Sequence, residues 1–210
     1  MKKTIRMVLL VMIPFLFTSC FDYVQSLSYQ NGNFKFYCKM SMPKELCDFI
    51  GEDPEEIKKE FEREAPEEFD YKIIDNDYEI GVEMVFTTNQ RRAAEKEFLP
   101  KIAINKYSVP FFLGTRDFID AMDLIDDEIS TEDHDFLNIA LACIKGRLLI
   151  SKKLIPAIKE AYFEGITKSI SDFSLPVYDY GDSFCIEVPV NTLSELSETH
   201  TIDKIILISQ

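Results

Sequence analysis

The turn sequence Asn31-Gly32, followed by a strictly alternating segment, constrains the fold more than any other feature of this chain. Asn-Gly is the typical centre of a two-residue β-hairpin turn, because both residues tolerate the positive φ angles that this turn requires. The turn is preceded by YVQSLSY and followed by NFKFYCKMSM, in which apolar and polar side chains alternate. Alternation with period two is typical of a strand with one buried face. Residues 23–42 therefore predict a β-hairpin that ends at Pro43, with Cys38 on the apolar face.

The rest of the chain mixes strand patterns with helix patterns. Strands joined mostly by hairpins, with helices between some of them, are typical of α+β proteins and not of doubly wound parallel sheets. We predict an α+β fold with a mainly antiparallel sheet, helices packed on one face, and a helical insert at about 115–170 in the second half. The predicted helices are 44–51, 54–65, 90–98, 115–126, 130–145 and 155–170, with Asp53 as the cap of the second. The predicted strands are 71–75, 78–88, 101–108, 174–179, 183–189 and 204–209, with a turn at 179–182 between 174–179 and 183–189.

The first twenty residues, MKKTIRMVLLVMIPFLFTSC, have the layout of a bacterial secretory signal. Three basic residues precede an apolar run from Met7 to Phe17, as in a signal peptide. That run is shorter than the roughly 20 apolar residues that a transmembrane helix needs. We therefore expect residues 1–19 to be removed as a lipoprotein signal peptide, leaving 20–210 as a single envelope-exposed domain.

The cleavage region Leu16-Phe17-Thr18-Ser19-Cys20 resembles a lipobox. The resemblance implies that diacylglycerol is attached to Cys20 and that the chain is cleaved before it. Phe17 departs from the small aliphatic residue that is usual three positions before the cysteine. The alternative is an ordinary cleaved signal with an incidental cysteine. Two or three acyl chains would make attachment effectively permanent, whereas one chain would be marginal.

The charge of the chain excludes binding through basic patches. The formal net charge is −14, and removal of a signal with three basic and no acidic residues changes it to −17. Nucleic acids and anionic headgroups are bound by Lys and Arg, which neutralise phosphate. We therefore expect no nucleic-acid partner, and we expect the lipid on Cys20 to hold the protein at a membrane on its extracytoplasmic side. Inner and outer membrane stay open.

Four further cysteines permit disulfides in an oxidising compartment. They allow three connectivities, of which the pair Cys38–Cys47 is favoured, and buried free thiols are the alternative. Because there is no CxxC, and neither His134 nor His200 has ligand spacing, we expect no metal site.

Sequence motifs of catalysis are missing or incomplete. GxGxxG, the P-loop, GxSxG and HExxH do not occur, so nucleotide binding and the common hydrolase mechanisms gain no support. The residues Ser41-Met42-Pro43-Lys44 match SxxK, but the companion motifs are absent. Acidic runs at 75–81 and 126–135 do not fit a calcium loop. We expect no catalytic residue and no cofactor.

The stretch from Gly32 to Phe86 resembles the LppM-type domain of bacterial lipoproteins. The resemblance is carried by NGNFKFYCKMSMP, IGEDPEEI and YEIGVEMVF, and VYDYGDSFCIEVPV resembles the closing hairpin of such a unit. It implies an envelope-anchored α+β domain without established catalytic residues. Lipid or glycolipid binding has been suggested for such domains.

Three functions are consistent with these observations. The first is a non-catalytic binding or interaction module whose partner is an envelope protein or a lipid. The second is an envelope lipid or glycolipid carrier with an apolar pocket between the sheet and the insert helices. The third is a hydrolase that uses a carboxylate pair without a recognisable motif. A core-forming composition without a reactive constellation favours the first.

Overall fold

Two β-sheets account for most of the residues that can be described. A computed structural model of the protein describes residues 22–45, 47, 53–64, 67–89, 99–111, 145–163, 174–189 and 204–209. The strands are β1 (Asp22–Gln30), β2 (Asn33–Pro43), β3 (Asp70–Asp75), β4 (Glu79–Asn89), β5 (Lys101–Ala103), β6 (Lys106–Pro110), β7 (Lys145–Ser151), β8 (Glu160–Phe163), β9 (Val177–Asp179), β10 (Ser183–Pro189) and β11 (Lys204–Ile208). The seven-stranded sheet has the order β3-β4-β2-β1-β7-β10-β9, and the four-stranded sheet has the order β5-β6-β11-β8.

The predicted hairpin of residues 23–42 is confirmed. Strands β1 and β2 pair antiparallel from Asp22 opposite Ser41 to Gln30 opposite Asn33. Asn31 and Gly32 have φ angles of 52° and 82°. Two successive positive φ values match the right-handed twist of the flanking strands.

The large sheet is mixed, because β1 pairs parallel with β7 on its other side. Every other described strand pair in both sheets is antiparallel. Strands β1, β4, β7 and β9 consequently run in one direction, and β2, β3 and β10 run in the other.

The two sheets pack face to face over one apolar core. Alternation along each strand directs one set of side chains inward, as the burial pattern of β7 shows. Each fully buried aliphatic or aromatic side chain of this size contributes about 1.5–3 kcal/mol through removal of its apolar surface from water. The large sheet supplies Leu27, Phe36, Leu148, Ile150 and Ile186 to this core, and the small sheet supplies Val109, Phe163, Ile205 and Leu207.

One segment belongs to both sheets and closes one side of the sandwich. Ser174 forms a bridge with Tyr162 of β8, and the Leu175 amide donates to the Ala161 carbonyl at 2.9 Å. The chain then changes sheets at Pro176, whose carbonyl accepts from the Glu187 amide of β10 at 3.2 Å. This change of sheet places β9 beside β10.

Helix α1 (Pro54–Glu64) confirms the predicted helix over 54–65. The Asp53 carboxylate accepts from the Glu55 amide at 2.9 Å, and the Asp53 carbonyl accepts from the Ile57 amide at 3.1 Å. An aspartate at this position satisfies amides that have no partner within the first turn. Among the described residues, no helix is long and apolar enough to cross a membrane.

The predicted α+β fold class, with helices on one sheet face and a helical insert, is wrong. A second sheet packs on the face assigned to helices. Within the predicted insert 115–170, residues 145–151 and 160–163 are strands β7 and β8. Short apolar runs do not distinguish strand from helix by periodicity, and pairing with distant strands decides the outcome. Residues 152–159 between β7 and β8 form turns and irregular structure. The remaining parts of the insert, 115–144 and 164–170, lie outside the described residues, as do the signal 1–19 and the segment 90–98.

Candidate interaction surfaces

The predicted cysteine sites fall in different parts of the chain. Cys20 lies outside the described residues, which begin two positions later at Asp22. Cys38 and Cys47 are both buried, the Cys47 thiol donates to the Pro43 carbonyl at 3.7 Å, and the disulfide between the two cysteines stays a prediction. Burial raises the pKa of Cys38 to about 12, with a hydrogen bond to Tyr23 opposing the rise. A thiol with so high a pKa is protonated at neutral pH and is a poor nucleophile.

A polar cluster connects the two sheets through the core. The amide of Gln25 is fully buried and donates from Nε2 to the Pro110 carbonyl of β6 at 2.6 Å. Its Oε1 accepts from the hydroxyl of Tyr23 at 3.0 Å, and the Tyr23 ring lies edge-on to Phe111 at 5.3 Å between centroids. Among the described residues, no buried side-chain nitrogen or oxygen lacks a partner. This cluster is a structural link between the sheets and is closed to solvent.

Metal ligation has no support in the part of the chain that the structure describes. That part contains no group of three or more His, Cys, Asp or Glu side chains arranged to hold a metal ion.

The two ends of the large sheet have different surfaces. We call the end where β1 begins the anchor end, because Cys20 precedes it by two residues. Strand pairing brings Asp22, Pro43 and Glu79 to this end, together with Lys145 opposite Pro189. We call the opposite end, which carries the Asn31-Gly32 turn, the distal end.

Ion pairs hold the first residue of β1 at the anchor end. Asp22 lies 3.3 Å from Lys39 Nζ and 3.7 Å from an Arg147 nitrogen. Lys39 also lies 3.7 Å from Glu79. These contacts tie four neighbouring strands, β4, β2, β1 and β7, together where the chain enters the sheet.

An open groove of about 650 Å³ lies at the anchor end, lined by Pro43, Glu45 and residues 76–79. The Asn76 side chain shapes it, since Oδ1 accepts from the amides of Tyr78 at 2.9 Å and Glu79 at 3.0 Å. Tyr78 is 75% exposed. The carboxylates on its walls make the groove acidic.

A carboxylate next to this groove is held by two lysines. Asp75 accepts from Lys44 Nζ at 2.7 Å and from Lys58 Nζ of α1 at 3.1 Å. The hydrogen bond from Lys44 makes the largest contribution to lowering the pKa of Asp75, and the hydrogen bond from Lys58 makes the next largest. The helix is thereby tied to the end of β3.

Two exposed tyrosines lie on the outer face of the sheet toward the distal end. Tyr178 of β9 is 43% exposed and Tyr180 is 63% exposed, and their ring centroids lie 6.5 Å apart. Aromatic residues of this kind are enriched at protein interfaces. We call Tyr178 and Tyr180 the tyrosine pair.

Asp179, between the two tyrosines, fixes the backbone that carries them. Its oxygens accept from Lys152 Nζ at 2.6 and 2.7 Å and from the Gly181 amide at 2.9 Å. The lysine contact, and secondarily that of Gly181, lowers the pKa of Asp179. Lys152 Nζ also lies 4.9 Å from the centroid of the Phe184 ring, a cation–π distance. The tyrosine pair is therefore preorganised.

The tyrosine pair was missed in the sequence, where residues 179–182 were predicted only as a turn between strands. That turn is confirmed, with Gly181 at a φ of 77°. The available signal was the spacing of Tyr178 and Tyr180, two residues apart next to the turn. In a strand this spacing places both rings on one face.

Comparisons with known proteins add no relative: no protein-family model, curated protein or solved structure matches the chain. The resemblance of Gly32–Phe86 to the LppM-type domain stays a prediction.

Proposed function

We propose that the protein is a lipid-anchored protein of the bacterial cell envelope that acts as a non-catalytic binding module on the extracytoplasmic side of a membrane. The observation that carries this proposal is the position of Cys20, two residues before a strand in the interior of the large sheet. Two extended residues span at most about 7 Å. A lipid on Cys20 would hold the anchor end of the sheet directly at the bilayer surface.

The surface of the protein supports attachment through lipid alone. The groove at the anchor end is lined by Glu45, Asp77 and Glu79, and the chain is acidic overall. Carboxylates repel the anionic headgroups that basic segments attract. Without the acyl chains, the acidic groove at this end would be repelled by an anionic membrane.

A binding role is supported by the contrast between the core and the distal end. The space between the sheets is occupied by large side chains of the described residues, among them Phe36, Phe111 and Phe163. The lipid-carrier alternative places its pocket beside the predicted insert, most of which lies outside the described residues. Exposed, preorganised aromatic side chains lie on the outer surface, where a macromolecule can contact them.

Metabolic labelling with radioactive palmitate tests the anchor. We expect label on the wild-type protein and none on Cys20→Ala, which should move to the soluble fraction of the envelope. Ser19→Ala is the matched control, since it keeps a small residue next to the cysteine and should retain the label. Equal labelling of Cys20→Ala and wild type would show that the lipid is not on this cysteine.

A further inference from the structure

We propose that the outer edge of β9 accepts an extended segment of a partner polypeptide as an added strand, with the tyrosine pair contacting the side chains of that segment. This inference deepens the proposed function and rests on it for the orientation of the protein at the membrane. It names the class of partner as a protein chain in extended conformation.

Every second residue of β9 directs its backbone N–H and C=O groups away from β10, and these groups are suited to such pairing. The Tyr180 amide donates to the Ser183 carbonyl at 2.9 Å, and the Glu187 amide donates to the Pro176 carbonyl at 3.2 Å. Backbone groups of successive residues in a strand point to opposite sides. Hence Tyr178 is bonded toward β10, whereas the N–H and C=O groups of Val177 and Asp179 point away from the sheet. In the described part of the chain, β9 pairs with no strand other than β10.

The side chains at this edge suit contact with a partner. Tyr178 and Tyr180 lie on the outer face, so an added strand would place alternate side chains beside them. Backbone pairing supplies affinity in strand addition, and contacts with alternate side chains supply specificity. The bidentate contact of Lys152 with Asp179 holds this edge in place before binding, which reduces the entropic cost of association.

The opposite edge of the sheet is protected. Strand β3 carries Asp70, Lys72 and Asp75 along its length, and Asp75 is bound by two lysines. Charged side chains are a common protection of edge strands against pairing with other chains. Strand β9 has only one charged residue, and that charge is paired within the protein.

The direction of β9 argues against a second copy of this chain as the occupant. Antiparallel pairing of β9 with its own copy would reverse the second molecule, including its β1, because β9 runs parallel to β1. The two anchor ends would then point in opposite directions. Two molecules attached to one membrane through Cys20 cannot pair in this antiparallel way, which favours a different polypeptide as the occupant.

The test uses the full chain, purified in detergent, and a phage-displayed library of random dodecapeptides. The library is first depleted of peptides that bind the Tyr180→Ala variant and is then selected for binding to the wild-type protein. This selection should enrich peptides that bind the wild-type edge. We expect Val177→Pro, which deletes one outward N–H, to weaken the selected peptides by about tenfold or more. Tyr71→Pro is the matched control at an outward position of the β3 edge, and it should leave their affinity unchanged.

Backbone N-methylation of a selected peptide distinguishes strand addition from other modes of binding. Methylation at every second position should abolish binding, and methylation at the intervening positions should be tolerated. Failure to enrich any peptide, equal sensitivity at all positions, or retention of affinity by both Val177→Pro and Tyr180→Ala would overturn the proposal. So would self-association of the wild-type chain that Tyr180→Ala abolishes. Palmitate labelling tests the lipid anchor separately. The strand-addition proposal and the anchor proposal can therefore fail independently.

Discussion

Replacement of Gln25 by methionine tests how the two sheets are held together. Methionine has nearly the same volume and length as glutamine but neither donates nor accepts in the way that the amide does. In Gln25→Met, the Pro110 carbonyl would lose its 2.6 Å contact and the Tyr23 hydroxyl would lose its 3.0 Å contact. A buried polar group left without its partner costs about 1–3 kcal/mol. The Pro110 carbonyl becomes such a group, whereas the Tyr23 hydroxyl keeps its hydrogen bond with Cys38. The predicted loss is therefore about 1–3 kcal/mol, with little contribution from packing.

Urea denaturation of the mature chain measures this loss. The midpoint should fall with an unchanged dependence on denaturant, because the exposed area on unfolding is unchanged. Gln30→Met is the matched control, since Gln30 is an exposed residue of the same strand and surface changes stay within about 0.5 kcal/mol. A loss for Gln25→Met below about 1 kcal/mol, or equal to that of Gln30→Met, would refute a stabilising role for the amide.

Three further predictions concern single residues. Because the pKa of Asp75 is lowered in the folded protein, its carboxylate stabilises the fold above the unfolded-state pKa of about 3.9 and loses this effect as the pH falls through the folded-state value. Urea titrations should therefore show a stability difference from Asp75→Asn that is constant near neutral pH and shrinks in acid; a pH-independent difference would contradict it. The buried thiol of Cys38, with its pKa of about 12, should resist iodoacetamide at about pH 8 until the protein unfolds, and alkylation of the native chain, read by peptide mass, would contradict its burial. Gly81→Ala would bring a Cβ within 2.6 Å of Ser41 in β2 and should lower the free energy of unfolding by about 3 kcal/mol. In Gly181→Ala the added Cβ meets no atom within 4 Å, so the variant should lose only about 1–2 kcal/mol because of the positive φ. Equal decreases in the thermal unfolding temperature of the two variants would contradict this prediction.

Local signals in the sequence were sufficient for elements whose pairing partner is adjacent. The Asn31-Gly32 turn predicted β1 and β2, and the turn at 179–182 predicted β9 and β10. Asp53 predicted the start of α1. In each of these cases the determining residues lie within a few positions of the element.

Strands near 101–108 and 204–209 were predicted, but their assembly with β8 into a second sheet was not, because that sheet is completed by pairing over long distances in sequence. Strand β8 (Glu160–Phe163) is held by β11 (Lys204–Ile208), and the apolar residues around it also fit a helix. Likewise, β7 pairs in parallel with β1, more than one hundred residues earlier. No local turn signal marks either partner.

The features of the candidate surfaces also divide into those that local sequence predicts and those that depend on long-range strand pairing. The alternation around Cys38 correctly predicted its burial, which is a local property. The buried link from Gln25 to Pro110 and the open edge at Val177 depend on sheet order, and therefore on long-range pairing. The anchor at Cys20 is a property of the sequence alone and remains a prediction.

Mass spectrometry of the N-terminal peptide of the mature protein tests the central claim most directly. The account predicts a peptide that begins at Cys20 and carries diacylglycerol on the cysteine sulfur, with residues 1–19 removed. A mature chain that begins at another residue, or that begins at Cys20 without acyl groups, would contradict it.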